Sequence, residues 1–135
     1  MSAKVEIFRR TRIPRAVSWL TVGMSVLTQP AIAGADDVVT YEVVSDTVGM
    51  ANIEYQDVTG RVAAQGTPLP WRMTVPVLAV RDAPPHGSQV RADWRPTAAP
   101  TRWVTVRIVY QGKVLCQNTL DIGDATCYGI TSRVT

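Results

Sequence analysis

The two cysteines are the residues whose chemistry follows most directly from type and spacing. Cys116 and Cys127 are the only cysteines in the chain, and an even number of cysteines in an exported domain favours a disulfide. The bond would close a loop of about 12 residues, which the chain-entropy model values at about 3 kcal/mol. Two thiols and the single histidine, His86, fall short of the four ligands of a structural zinc site. A catalytic thiol would need a histidine partner, and His86 lies in a Pro-Gly loop, so we predict a disulfide.

No other group of residues predicts catalysis. The chain contains no Gly-x-Ser-x-Gly motif and no glycine-rich phosphate loop. The acid pairs Asp36/Asp37 and Asp121/Asp124 lack the arrangement of a glycosidase or calcium site, and residues 121–124 indicate a turn. We expect His86 to be exposed, without a metal or catalytic role. The sequence therefore predicts a non-enzymatic protein without cofactor or metal.

Arginine and tryptophan are concentrated between residues 81 and 103, where two proline-rich loops flank a short strand. The residues of this candidate interaction surface are Arg81, Arg91, Trp94, Arg95, Arg102 and Trp103. Both residue types are enriched in binding hot spots, and a guanidinium can stack on an indole, so an anionic lipid head group or an acidic protein surface could dock there. The alternative is structural: the tryptophans cap the ends of the domain, and the arginines are solvated, with Arg95 paired to Asp93.

The basic charge of the chain belongs to its N-terminal segment. Of 14 Lys and Arg and 11 Asp and Glu, five basic residues and one acidic residue lie in residues 1–33. An uncharged stretch at residues 16–27 and small residues at 31–35 follow, as in an export signal. We predict a signal peptide at residues 1–35; the alternative is a signal anchor that keeps residues 16–35 in the membrane. Either delivers a nearly neutral domain, residues 36–135, to the periplasm, cell envelope or medium, with no nucleic acid partner.

Short alternating segments separated by turns follow in residues 36–135. Short segments with strand character lie at residues 38–44, 50–55, 61–65, 73–80, 89–94, 104–110, 113–116 and 126–130, and apolar residues alternate most clearly in residues 104–110. This pattern predicts an all-β, immunoglobulin-like β-sandwich of about seven short antiparallel strands. No stretch keeps a helical period, so we predict no helix.

Proline and cysteine positions refine this prediction. Pro76 places its strand at a sheet edge or in a bulge, and residues 66–70 are expected to break strand pairing. The two cysteines lie close together near the C-terminus, too close to form the inter-sheet bridge of antibody domains. We expect their bond to tie the last strand to the preceding hairpin.

The order of several segments resembles the mycobacterial small membrane protein (MmpS) family. The segments are residues 39–43 (VTYEV), 51–57 (ANIEYQD) with Gly60, 69–71 (LPW) and 104–114 (VTVRIVYQGKV), within about residues 38–129. The family commonly places its first cysteine near the position of Val106, whereas this chain has Cys116 across the hairpin.

That resemblance implies a periplasmic β-sandwich, usually tethered by an N-terminal transmembrane helix. Such proteins assist large RND-type (MmpL) transporters in exporting siderophores or lipids. The expected partner is therefore such a transporter or another envelope protein. The alternative is a freely secreted module that binds a small lipid or amphiphile between its sheets.

Overall fold

The computed structural model describes residues 37–135, which form a sandwich of two β-sheets. The strands are β1 (Asp37–Val44), β2 (Met50–Asp57), β3 (Gly60–Pro68), β4 (Trp71–Val77), β5 (Gln89–Asp93), β6 (Val104–Tyr110), β7 (Lys113–Leu120), β8 (Asp124–Tyr128) and β9 (Arg133–Val134). Sheet A has the order β4-β1-β6-β7-β9, and sheet B has the order β3-β2-β5-β8. The all-β sandwich predicted from the alternation is confirmed.

The signal peptide or anchor predicted for residues 1–35 lies outside the described residues. Within residues 37–135, no helix has the length and apolar character needed to cross a membrane.

Alternation places one face of each long strand in the core. In sheet A, Tyr41 of β1 and Ile108 of β6 are fully buried, and in sheet B the same holds for Ile53 of β2 and Val90 of β5. Successive side chains of a strand point to opposite faces of its sheet, so these residues meet in one cluster between the sheets. Full burial of such a side chain is worth about 1.5–3 kcal/mol, which makes this cluster the main source of stability.

A tyrosine hydroxyl joins the two sheets inside this core. The Tyr41 hydroxyl, on β1 of sheet A, donates to the Gln56 carbonyl of β2 over 2.7 Å. It also accepts from the backbone N–H of Gln89 of β5 over 3.1 Å. Burial is the main reason why the pKa of Tyr41 rises from 10.0 to about 12. The phenol therefore stays protonated and can serve both backbone groups.

The predicted disulfide is present, and it connects the two sheets. Cys116 lies on β7 of sheet A and Cys127 on β8 of sheet B, with their Cα atoms 5.7 Å apart and both side chains buried. The bond ties β8 to the β6–β7 hairpin, as expected; the expectation did not include that β8 lies in the other sheet. The sequence placed β8 correctly after the β6–β7 hairpin, but β8 pairs with β5 of sheet B rather than with β7.

Two further expectations need correction. Residues 37–135 form nine strands rather than about seven; the last, β9, pairs only two residues with β7 and runs parallel to it. A two-residue strand has no alternation from which to predict it. Pairing between β2 and β3 also continues through Thr67 and Pro68 after a register shift at Ala51. Pro68 is tolerated because β3 is an edge strand, where a missing N–H need not break a ladder.

The expectation for Pro76 is confirmed. Pro76 lies in β4, which pairs only with β1 and forms one edge of sheet A. The prediction that the domain contains no α-helix also holds for residues 37–135, in which the one helical element is a single 3₁₀ turn at Arg95–Thr97.

Removing the disulfide is predicted to destabilise the chain substantially. Replacing both cysteines (Cys116→Ala with Cys127→Ala) should lower the free energy of unfolding by about 3 kcal/mol, because the unfolded chain regains the freedom of an open loop. Urea denaturation of the full chain would measure this. Val114→Ala, a change at an exposed residue of β7, is the matched control and should shift the midpoint little. An unchanged midpoint in the double variant would contradict the structural role of the bond.

The Tyr41 phenol is predicted to make stability depend on alkaline pH. Because the folded pKa of about 12 exceeds the value of 10.0 without burial, the contribution is complete below pH 10. It is lost as the pH rises towards 12, at up to about 1.4 kcal/mol per pH unit. Tyr41→Phe should remove this component. At neutral pH it should cost about 1–3 kcal/mol, because buried backbone groups lose their partner.

Urea denaturation of the full chain at several pH values compares the two proteins. The control is Tyr128→Phe, at a phenol that is 37% exposed, which should retain the wild-type decline. Equal slopes for wild type and Tyr41→Phe above pH 10 would show that Tyr41 is not the titrating group.

Candidate functional site

Three connections meet at one end of the sandwich, which we call the Trp103 end. They are the β1–β2 turn (residues 45–49), the β5–β6 connection (residues 94–103) and the β7–β8 turn (residues 121–123). The Trp94 N–H donates to the Gly123 carbonyl over 2.7 Å, and the Thr101 N–H donates to the Asp121 carboxylate over 3.1 Å. The β5–β6 connection is therefore fixed to the β7–β8 turn.

Ser45 fixes the β1–β2 turn against the same connection. Its hydroxyl donates to the Trp103 carbonyl over 2.6 Å and accepts from the N–H groups of Thr47 and Val48 over 3.1 and 2.9 Å. Arg102 adds a second tie, because its guanidinium donates to the Thr47 carbonyl over 2.8 Å. These bonds set the distance between the turn and the backbone that carries the Trp103 indole.

A groove of about 280 Å³ lies between this turn and Trp103. Its floor is the outer face of sheet A, where Val44, Thr105 and Thr119 are neighbours across β1, β6 and β7. Trp103 forms one wall with 49% of its surface exposed, and residues 45–47 form the rim. We call this feature the Trp103 groove.

The groove offers hydrogen-bonding groups that the fold leaves free. The Thr105 and Thr119 hydroxyls bond to each other over 2.8 Å, so the one that accepts keeps its own proton to donate. Asp46 is exposed, and among residues 37–135 its carboxylate has no ion-pair or hydrogen-bond partner. Arg102 uses one N–H on Thr47 and has others available. The groove therefore combines an indole face with one carboxylate, one guanidinium nearby and hydroxyl groups.

The structure does not assemble the six residues of the candidate interaction surface into one surface. Trp94 is only 1% exposed and belongs to the core, so the prediction that it forms part of an interaction surface is wrong. The physical reason is the period of β5, in which Val90, Ala92 and then Trp94 point inward. Trp103 and Arg102 lie together at the Trp103 end.

Arg91 and Arg95 are occupied by acidic partners on the outer face of sheet B. Arg91 lies 3.2 Å from the Asp124 carboxylate and 3.6 Å from that of Asp93. Arg95 pairs with Asp93 through its side chain, as the structural alternative predicted. The hydrogen bond from Arg95 is the largest cause of the lowered pKa of Asp93. The positive and negative charges on this face therefore neutralise one another.

Arg81 lies at the opposite end of the domain. It is close enough to the Tyr110 phenol for its charge to lower the pKa of Tyr110, although the hydrogen bond to Asp37 dominates and raises that pKa overall. Tyr110 ends β6, and Trp103 precedes its first residue, so about 23 Å of strand separates them. Arg81 and Trp103 therefore cannot contact one small ligand together.

A second, smaller cavity of about 140 Å³ lies beside Trp94, with Met50, Asn52 and Pro96 among its lining residues. The Trp94 Nε1 atom has no hydrogen-bond partner among residues 37–135. Both described cavities lie outside the space between the sheets.

Within residues 37–135, no group of three or more His, Cys, Asp or Glu side chains could hold a metal ion. His86 is exposed, as expected, in the loop between β4 and β5. Asp121 lies in the β7–β8 turn, also as expected, and its carboxylate holds the Thr101 N–H.

Asp46 and Thr119 are groove residues that the sequence analysis missed. The outward position of Trp103, in contrast, could be predicted from the sequence. Thr105 and Arg107 alternate with buried Val104 and Val106, and Trp103 continues the series of residues that point outward. Asp46 stands in a turn without periodicity, so only the folded chain brings it to Trp103.

No model of a known protein family matches the chain, and no curated protein matches it by sequence.

Ser45→Ala is predicted to loosen the Trp103 end. The change removes the acceptor for two N–H groups and the donor to the Trp103 carbonyl, so the free energy of unfolding should fall by about 1 kcal/mol. Acrylamide quenching of tryptophan fluorescence in the full chain should increase as well. Ser132→Ala, in an exposed segment, is the control and should stay within about 0.5 kcal/mol of wild type. Identical quenching in Ser45→Ala and wild type would contradict the role of Ser45.

Proposed function

We propose that the protein is an exported, non-enzymatic accessory protein of a cell envelope, similar to the MmpS proteins that assist MmpL/RND-type transporters. The observation that carries the proposal is the Cys116–Cys127 bond, buried between the two sheets. Disulfides form and persist in oxidising compartments and are rare in the cytosol. A core built around one therefore favours a place of action outside the cytoplasm.

The neighbourhood of Cys127 supports the resemblance despite the displaced cysteine. The Cys127 sulfur lies 3.7 Å from the Val106 carbonyl oxygen, and Val106 is fully buried. Val106 is the position near which MmpS proteins commonly have their first cysteine. Positions 106 and 116 thus lie on the two strands of the β6–β7 hairpin, and both strands come close to Cys127 of β8.

The edge of β3 is a suitable surface for a protein partner. β3 pairs only with β2, so its other side presents unpaired backbone groups, which a partner's strand can bind by extending the sheet. Residues 62–65 (VAAQ) of this edge contain no charge and no proline, the devices that usually protect an edge. β4 is also an edge, but it contains Arg72 and Pro76.

Site-specific photo-crosslinking in the native envelope tests this function. Ala63, on the β3 edge, is replaced by p-benzoylphenylalanine in the full chain, and crosslinked partners are identified by mass spectrometry. We expect a subunit of an RND-type transporter, because a strand added to β3 would lie against this position. Intact mass of the same preparation reports cleavage of the leader and the loss of two protons on disulfide formation.

The control places the same amino acid at Thr74, an exposed residue of β4 two positions before Pro76. It should give little or no transporter crosslink, because Pro76 cannot donate to an added strand. If position 63 captures no transporter subunit, or if native protein has free thiols, the proposal is contradicted.

A further inference from the structure

The Trp103 groove has the composition of a binding site rather than of a packing defect. Trp103 exposes half of its surface although it belongs to a rigid connection held by Ser45 and Arg102. A fixed, solvent-facing indole presents a flat apolar platform at little cost in conformational freedom. Polar groups beside such a platform set orientation and specificity.

The charges around the groove favour a ligand without net charge. Among residues 37–135, Asp46 is the only charged residue that lines it, and the Arg102 guanidinium is bonded to the adjacent rim residue Thr47. The two charges offset one another, so neither a cation nor an anion gains a large Coulomb attraction. Residues 34–135 contain nine basic and ten acidic residues, which argues against a polyanion such as a nucleic acid.

The hydrogen-bonding groups favour a ligand that carries several hydroxyls. A hydroxyl both donates and accepts; here the Asp46 carboxylate accepts, while Arg102 and one proton of the Thr105–Thr119 pair donate. A sugar ring matches this set, because its C–H face is apolar and flat while its hydroxyls project from the edge. The groove volume of about 280 Å³ accommodates one such ring.

We infer that the Trp103 groove binds one ring of a neutral polysaccharide chain, with the apolar face of the ring on the indole of Trp103 and its hydroxyls on Asp46 and the Thr105–Thr119 pair. The groove is open to solvent on the outer face of sheet A, so the rest of the polymer can continue past it. This inference does not depend on the transporter partner, because the groove and the β3 edge lie on different sheets.

Affinity electrophoresis of the full chain tests it, with native gels that contain neutral α-glucan, β-glucan, α-mannan or arabinogalactan. At least one polymer should retard the wild-type protein, and Trp103→Ala should weaken binding roughly tenfold or more, as loss of an aromatic stacking platform does. Trp103→Phe should keep part of the affinity. Leu78→Ala, which removes exposed apolar surface at the opposite end of the domain, is the matched control and should bind like wild type.

Two Asp46 variants separate a neutral ligand from a charged one. For a sugar, Asp46→Asn keeps a hydrogen-bonding oxygen and should retain more affinity than Asp46→Ala, whereas a cationic ligand would lose affinity equally in both. Retardation should also survive an increase in salt, because screening affects charged partners. The inference is overturned if no polymer retards the wild type, if Trp103→Ala binds normally, or if salt abolishes binding.

Discussion

The covalent bond between Cys116 and Cys127 is the constraint on which the organisation of the domain depends. It joins Cys116 within β7 of sheet A to Cys127 within β8 of sheet B, so it holds the two sheets together. The β7–β8 turn connects these two strands, and it carries two acceptors, Gly123 and Asp121, that hold the β5–β6 connection. That connection supplies Trp103. The bonded strands and the surface indole are thus connected through the β7–β8 turn and its hydrogen bonds.

The Tyr41 hydroxyl also holds the two sheets together, by directional hydrogen bonds rather than by a covalent bond. Apolar contacts between two sheets tolerate small displacements, because burial of apolar area is not directional. A buried hydroxyl that serves the Gln56 carbonyl and the Gln89 N–H tolerates much less, since a shift would leave polar groups unpaired in a dry core. The disulfide limits the separation of the sheets, and the phenol fixes their relative position.

Period-two alternation was sufficient to predict the long strands because each buries one face. It predicted the inward series of β1, and the missing N–H of proline predicted an edge or a bulge at Pro76. Alternation could not tell which sheet β8 joins, because it identifies the face on which a residue lies and not the neighbour of its strand. It therefore could not predict that the disulfide joins the two sheets.

The positions of Trp94 and Trp103 could have been predicted from the same alternation. Each continues the alternation of an adjacent strand, inward for Trp94 and outward for Trp103, whereas composition alone had grouped them as one surface. Asp46 has no such pattern, and its place beside Trp103 arises from the bonds made by Ser45 and Arg102.

The distribution of charge explains why binding surfaces are confined to a few places. On the outer face of sheet A, Glu42 lies between Arg72 and Arg107, and on sheet B the arginines are paired with Asp93 and Asp124. These pairs neutralise the broad faces and offer little net attraction to a partner. The surfaces that these pairs leave free include the backbone along the β3 edge and the indole and carboxylate of the Trp103 groove, one on each sheet. Because the two lie on different sheets, occupation of one leaves the other accessible. The proposed protein partner and the proposed polysaccharide ligand can therefore be bound at the same time.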